Sequence, residues 1–327
     1  MKIIDKCPLV AVVIPSYKVT DYTIDVIAKI PDLVWRIYVI DDACPDGTGK
    51  FVEANISDDR VWVIYHSQNQ GVGGAVMTGY HAAIADGADV IVKVDGDGQM
   101  DSSLIPHFVA PILAGEADYT KGNRFFDLEG IRAMPPLRLF GNAALSLMTK
   151  LSSGYWNLFD PTNGYTAIHT DVAKHLPFEK ISQRYFFETD MLFRLNTLRA
   201  VVVDVPMVAR YGEEATNLKI SNILGEFMFK HARNFVKRIF YNYYLRDVSL
   251  ASIELPVGLL MMLCGLGYGI YHWLISAGSG LATPAGTVML AVLPILMGLQ
   301  FVMAFLGYDI ASVPKRPLHH RASRKLD

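Results

Sequence analysis

The 327-residue chain is poor in cysteine and in net charge, and it has no internal repeat and no low-complexity stretch. Its three cysteines, Cys7, Cys44 and Cys264, form no CxxC and no metal-ligand spacing. That rules out a disulfide framework and suits a reducing compartment. The formal net charge is −2, so bulk charge gives no sign of nucleic-acid binding. A signal peptide is not expected, because Met1 to Cys7 carries charges and the apolar run Val10 to Ile14 is too short for an h-region. Hydrophobic residues, by contrast, are plentiful. They make up 51% of the chain, high for a purely soluble protein, and the excess is concentrated near the C-terminus.

The N-terminal part reads as alternating strands and helices. Residues 9–14 form a β-branched run closed by Pro15, and 36–40 form a second run leading into Asp41-Asp42 and the turn Pro45-Asp46-Gly47. Strands are also predicted over 61–65 and 90–94, and helices over 21–30, around Val52 and from Gly74 toward Ala85. Such alternation implies a parallel sheet with ligands at the carboxyl ends of its strands. Both acidic motifs, Asp41-Asp42 and Asp95-Gly96-Asp97, fall at such ends.

The second motif continues to Gln99. In an extended segment residues i, i+2 and i+4 share a side, so Asp95, Asp97 and Gln99 are expected to aim oxygens at one point. Oxygen ligands of that kind suit Mg²⁺ or Mn²⁺.

The character changes after about residue 215. Segment 222–244 mixes Phe, Tyr, Ile and Met with Lys230, Arg233, Lys237 and Arg238, as expected of basic amphipathic helices at a membrane surface. Leu255 to Ala277 holds no charged residue, and neither does Ala285 to Tyr308. Each is about 23 residues, roughly 35 Å as helix, and long enough to span a bilayer core. Arg246 precedes the pair, and Lys315, Arg316, Arg321, Arg324 and Lys325 follow it. The positive-inside rule then predicts a plasma-membrane hairpin with both flanks cytoplasmic, and with them both termini and the domain that precedes it. The expected domains are 1–215, an interfacial segment 216–250, and 251–327 with the two spans and a basic tail.

A series of motifs occurs in a fixed order: Val12-Val-Ile-Pro15-Ser-Tyr17, Val39-Ile40-Asp41-Asp42, Asn69-Gln70-Gly71-Val72-Gly73-Gly74, Asp95-Gly-Asp97-Gly-Gln99, Gly122-Asn123-Arg124, Asp160-Pro-Thr-Asn163-Gly164, Glu188-Thr-Asp190 and Arg210-Tyr211-Gly212. In this order they resemble family 2 glycosyltransferases of the GT-A fold, in particular the polyprenyl-phosphate sugar synthases. The resemblance implies an α/β GT-A domain with a mostly parallel sheet, followed by amphipathic helices and a transmembrane hairpin. It implies metal-dependent, inverting transfer of one sugar from GDP-mannose or a UDP-hexose to polyprenyl phosphate. It also implies roles: Pro15, Tyr17, Ile40, Asp42 and Asp95 around the nucleotide, Asp97 and Gln99 on the metal, and Arg124, Arg138 and Arg210 on phosphates. Glu188 and Asp190 would act beside the sugar and acceptor, with Asp95 and Asp97 also at the catalytic centre. The lipid bilayer is an implied partner, and a homo-oligomer is left open.

The chain departs from the family pattern at Lys18-Val19, where Asn-Glu is usual, at Val72, where a basic residue is usual, and at Asn217, where Lys is usual. These changes leave the reaction class intact and the donor open. Plainer readings stand beside these roles: Asp41-Asp42 as a turn or cap, Glu188 and Asp190 as charges at a helix N-terminus, Arg132 in competition with Arg138. Gly71-Val-Gly-Gly is not a dinucleotide fingerprint, since Val76 stands where the third glycine belongs. Functional rivals are transfer to another lipid or polysaccharide acceptor and a non-catalytic membrane scaffold. A processive synthase would carry Gln-x-x-Arg-Trp, and Gln183-Arg184-Tyr185 is no match.

Overall fold

The computed structural model describes residues 7–126, 136–207 and 220–320. Contacts divide the chain into two units, Met1–Phe235 with Pro314–Asp327, and Val236–Val313.

A seven-stranded sheet organises the first unit: β1 (Val10–Ser16), β2 (Val34–Asp41), β3 (Val61–Tyr65), β4 (Val90–Lys93), β5 (Tyr119–Asn123), β6 (Thr166–His169) and β7 (Val202–Pro206). Their spatial order is β3-β2-β1-β4-β6-β5-β7. Strand β6 runs antiparallel to both neighbours, and the remaining pairs are parallel. The helices of this unit are α1 (Thr20–Ala28), α2 (Thr48–Asn55), α3 (Val72–Ala85), α4 (Ile105–Leu113), α5 (Pro136–Ser153), the short α6 (Thr170–Ala173) and α7 (Phe187–Leu198).

Strands β1 and β4 are β-branched and apolar on both faces because both faces are covered, as parallel sheets require. Val12, Ile14, Val39 and Val92 lie in the central cluster, where Phe108 of α4 also packs. Its ring stacks on Tyr165 with centroids 3.9 Å apart. Pro15 does not end β1, which runs on to Ser16. Pairing with β4 stops at Val13↔Lys93, so Pro15 has a strand neighbour only on the β2 side and its missing N–H is tolerated. Strands β5, β6 and β7 go beyond the four expected. They carry Lys121, Asn123, Thr166 and His169, so no apolar run announces them.

The segment after 313 returns to this same unit. Asp118, fully buried at the start of β5, accepts hydrogen bonds from the backbone N–H of Val201 (2.8 Å), Leu318 (2.8 Å) and His319 (3.1 Å). His319 Nδ1 lies 2.7 Å from it, and the His319 ring stacks on His169.

The basic amphipathic segment forms α8 (Ile220–Phe240) and a π-helical turn, Tyr241–Arg246. The second unit contains α9 (Leu250–Ser279) and α10 (Ala285–Ala311), both long and apolar enough to cross a membrane. They extend past the charge-free limits read from sequence. Their backbones meet at two glycines: a Cβ on Gly258 would stand 2.8 Å from Gly298 O, and one on Gly298 would stand 2.6 Å from Gly258 O. Small residues of this kind are how apolar helices approach closely without a hydrophobic drive. In the same unit Arg238 pairs with Asp309 through two hydrogen bonds, 2.6 and 3.0 Å, and Tyr243 Oη donates to Asp309 at 2.6 Å.

Candidate active site

The carboxyl ends of β1, β2 and β4 open onto two cavities that meet at Asp95 and Asp97. The first, about 470 Å³, is lined by Pro15, Tyr17, Asp42, Gly71, Arg184 and Tyr185 among others. The second, about 430 Å³, is lined by Lys93, Gln99, Arg124, Asn163, Gly164 and Glu188 among others.

Strand β4 stops at Lys93, and Asp95 to Gln99 is not extended. Alternation along a strand is therefore not what gathers its oxygens. The chain turns at Gly96-Asp97, Gly98 takes φ +75°, and Asp97 Oδ1 accepts the Gln99 N–H at 3.0 Å. The turn brings Asp95, Asp97 and Gln99 to one cavity wall.

The Asp41-Asp42 pair divides its work. Asp41 accepts from the N–H groups of Cys44 and Gly49, both at 2.7 Å, and so caps α2. Asp42 accepts from the N–H groups of Gln70 (2.8 Å) and Gly71 (2.7 Å), while His66 Nδ1 lies 2.7 Å from it. Asp42 thus holds the loop that opens α3 against the first cavity. Sequence reading missed His66 because its partner lies 24 residues earlier.

The other expected residues separate. Pro15, Tyr17, Asp95, Asp97, Gln99, Arg124 and Glu188 line the cavities. Ile40 does not: it is fully buried in β2, paired with Pro15. Asp190 does not either. It is fully buried, accepting from Ser182 N–H (2.9 Å) and Asn234 Nδ2 (3.0 Å). Residues i and i+2 of a helix face different sides, so Glu188 and Asp190 of α7 cannot both reach the cavity. Arg124 forms a bidentate pair with buried Asp160, Nε–Oδ2 2.7 Å and Nη2–Oδ1 3.1 Å. Arg210 and the Arg138 side chain lie outside the described residues, as do Arg132, Asn217 and Lys219. Tyr155 is core, with its hydroxyl on Ala200 O at 2.7 Å.

Two buried lysines under the second cavity were not anticipated. Lys93 Nζ stands 2.8 Å from Asp95 Oδ1 and 3.3 Å from Glu188 Oε1. Burial pushes the Lys93 ammonium down, but Asp95 and Glu188 more than offset it, so its pKa is raised. Lys121 donates to Asn163 O, and burial, only partly offset by Glu188 and Asp160, lowers it to about 8. Gly164 completes the wall. A Cβ there would lie 2.6 Å from Lys93 Nζ and 2.8 Å from Asp95 Oδ2.

Residues 11–176, half of the chain, match the family profile Glycosyl transferase family 2. The chain belongs to this family. Undecaprenyl-phosphate mannosyltransferase of Micrococcus luteus is 29% identical over 221 residues, covering 66% of this chain and 90% of that one. Polyprenol monophosphomannose synthase of Mycolicibacterium smegmatis is 26% identical over 226 residues, covering 68% and 84%. A UDP-N-acetylglucosamine–dolichyl-phosphate N-acetylglucosaminyltransferase of Methanococcus voltae is 28% identical, covering 63% and 87%. The resemblance to polyprenyl-phosphate sugar synthases is supported by these relatives. Among solved structures, glucosyl-3-phosphoglycerate synthase of Mycobacterium tuberculosis, in complex with Mn²⁺, UDP-glucose and phosphoglyceric acid, superposes with TM-score 0.53 at 20% identity. It covers 71% of this chain and 79% of that one, and the likeness fixes the GT-A-like fold. This family 2 member is thus a glycosyltransferase, with its two apolar helices outside the matched segment.

Proposed function

We propose that this glycosyltransferase moves one sugar from a nucleoside-diphosphate sugar to the phosphate of a polyprenyl lipid, inverting the anomeric carbon. The observation that carries the reading is the junction of two cavities at Asp95 and Asp97, on the sheet's carboxyl edge. The first cavity, with Pro15 and Tyr17, suits the nucleoside, and the second, with Lys93, Gln99 and Glu188, suits the sugar and the acceptor. The lipid acceptor is supported by the relatives and by the two long apolar helices.

The donor set fits a hard cation, since Asp95, Asp97 and Gln99 line one cavity with oxygen ligands only. Asp97 and Gln99 would hold Mg²⁺ or Mn²⁺, which when bound supplies neutralisation of the leaving diphosphate. Asp95 stands where ribose and diphosphate enter, and Glu188 orients the acceptor across the seam. A lipid phosphate oxygen forms the new bond to the anomeric carbon while the bond to the diphosphate oxygen breaks. The electron pair leaves with the nucleoside diphosphate. The acceptor is already anionic near neutral pH, so no proton has to be removed.

The chain is read as a multi-pass protein of the plasma membrane, with its catalytic unit and both termini cytoplasmic. The basic residues Arg246 before α9 and Lys315 and Arg316 after α10 support it. The test is a panel of radiolabelled GDP-mannose, UDP-glucose and UDP-N-acetylglucosamine with undecaprenyl phosphate. One donor is expected to give a lipid-extractable product of inverted configuration, in a metal-dependent reaction. Retained configuration, or no labelled lipid from any donor, would overturn the reading.

A further inference from the structure

Lys93 has an environment that packing alone does not account for. Its side chain is 1% exposed, on a strand otherwise made of Val and Ile. An enclosed ammonium is costly unless paired, and a methionine would fill the same space. Its two partners lie far from each other in the chain: Asp95 directly follows β4, and Glu188, 95 residues from Lys93, sits in the first turn of α7. The wall of the second cavity therefore carries the Asp95 and Glu188 carboxylates on one buried ammonium, with Asp97 and Arg124 also lining it.

We propose that Lys93 is a positioning residue that fixes Asp95 and Glu188 to each other and keeps the site from taking up a divalent cation tightly before the nucleotide arrives. The inference rests on the assignment of a metal to Asp97 and Gln99. With Lys93 in place, an arriving cation meets one negative charge fewer than it would without it. The diphosphate of the donor restores the missing attraction, so metal and nucleotide bind together. Without the lysine the carboxylates repel one another and are relieved only by the metal. A purely structural residue would not tighten metal binding on removal.

The test is Mn²⁺ binding to the full chain in detergent, without nucleotide, followed by the EPR signal of free Mn²⁺. Lys93→Met is expected to bind Mn²⁺ about tenfold more tightly than the parent. Its turnover should fall about tenfold or more, with little change in the donor KM. Glu188→Gln, which removes a negative charge and leaves Lys93 to Asp95, should bind Mn²⁺ more weakly, and it serves as the test if Lys93→Met does not fold. Unchanged or weaker Mn²⁺ binding in Lys93→Met, or unchanged binding in Glu188→Gln, overturns the inference. Asp97→Ala separates the two layers. If it binds Mn²⁺ as the parent does, the metal assignment itself falls; if it loses Mn²⁺ while Lys93→Met is unaltered, only the role of Lys93 falls.

Discussion

Each unit of the protein buries a cluster of charge, and the two clusters are built to opposite ends. In the second unit Arg238 and Asp309 cancel, and both Asp309 oxygens accept hydrogen bonds, one of them also from Tyr243. Both residues are at most 2% exposed. In the first unit the Lys93 ammonium stands between two carboxylates, Asp95 and Glu188, at the wall of an open cavity. A sealed, balanced cluster can only hold helices together. An open cluster with charge left over can act on something that comes from outside.

The largest effect on activity is expected at Asp97, in the open cluster. Asp97→Ala should lower transfer by about 10²–10³, in line with losing one charge-stabilising element, while the melting temperature stays near the parent's. Assay of labelled lipid beside thermal unfolding checks this; full activity in excess EDTA would erase the contrast between the clusters.

An effect of similar energy, but on stability and with none directed at chemistry, is expected in the sealed cluster. Asp309→Leu takes the carboxylate from the buried Arg238 guanidinium and should cost about 3–5 kcal/mol of stability. Adding Arg238→Met should recover most of it, because the pair as a whole is replaceable by apolar groups. Unfolding of the two variants in detergent decides the matter. If the double variant is no more stable than the single one, the cluster does more than balance charge.

The smallest effect concerns a third buried group, one with no countercharge. His231 meets Phe186 edge to face and its Nδ1 pairs with Ser152 Oγ at 2.8 Å, and burial pushes its pKa from 6.5 down to about 4. The unfolded chain thus takes up a proton that the folded one refuses. Stability should be lost as pH falls from about 6.5 toward 4, by roughly 2 kcal/mol at pH 5. His231→Phe should flatten that part of the stability profile, and an unchanged slope would assign the loss elsewhere.

Much of this was legible in the chain. β1 to β4 announce themselves as apolar β-branched runs ended by turn residues, and the acidic motifs fall at their carboxyl ends. β5 to β7 are hidden because their burial is polar: Thr120, Lys121 and Thr166 are all buried there, and no alternation marks them. The reversal of β6 depends on tertiary pairing that no local pattern encodes. At the site, Asp97 and Gln99 were readable as a motif, but the turn that gathers them was mistaken for a strand. Asp190 and Ile40 were assigned from motif position alone. Helical geometry separates Asp190 from Glu188, and the pairing of β2 with β1 buries Ile40. One lysine in an apolar strand was the available sign of Lys93.

The contacts of Asp118 bear on how this enzyme can be taken apart. The unit that carries the cavities is written in two pieces of sequence, with the hairpin inserted between them, and its second piece supplies three of the donors on that carboxylate. A stop codon ahead of α9 would therefore remove the apolar helices and leave Asp118 facing emptied ground. A soluble version calls for excision instead, with the residues from Pro314 onward rejoined to α8 so that the last strip of chain can still find its place.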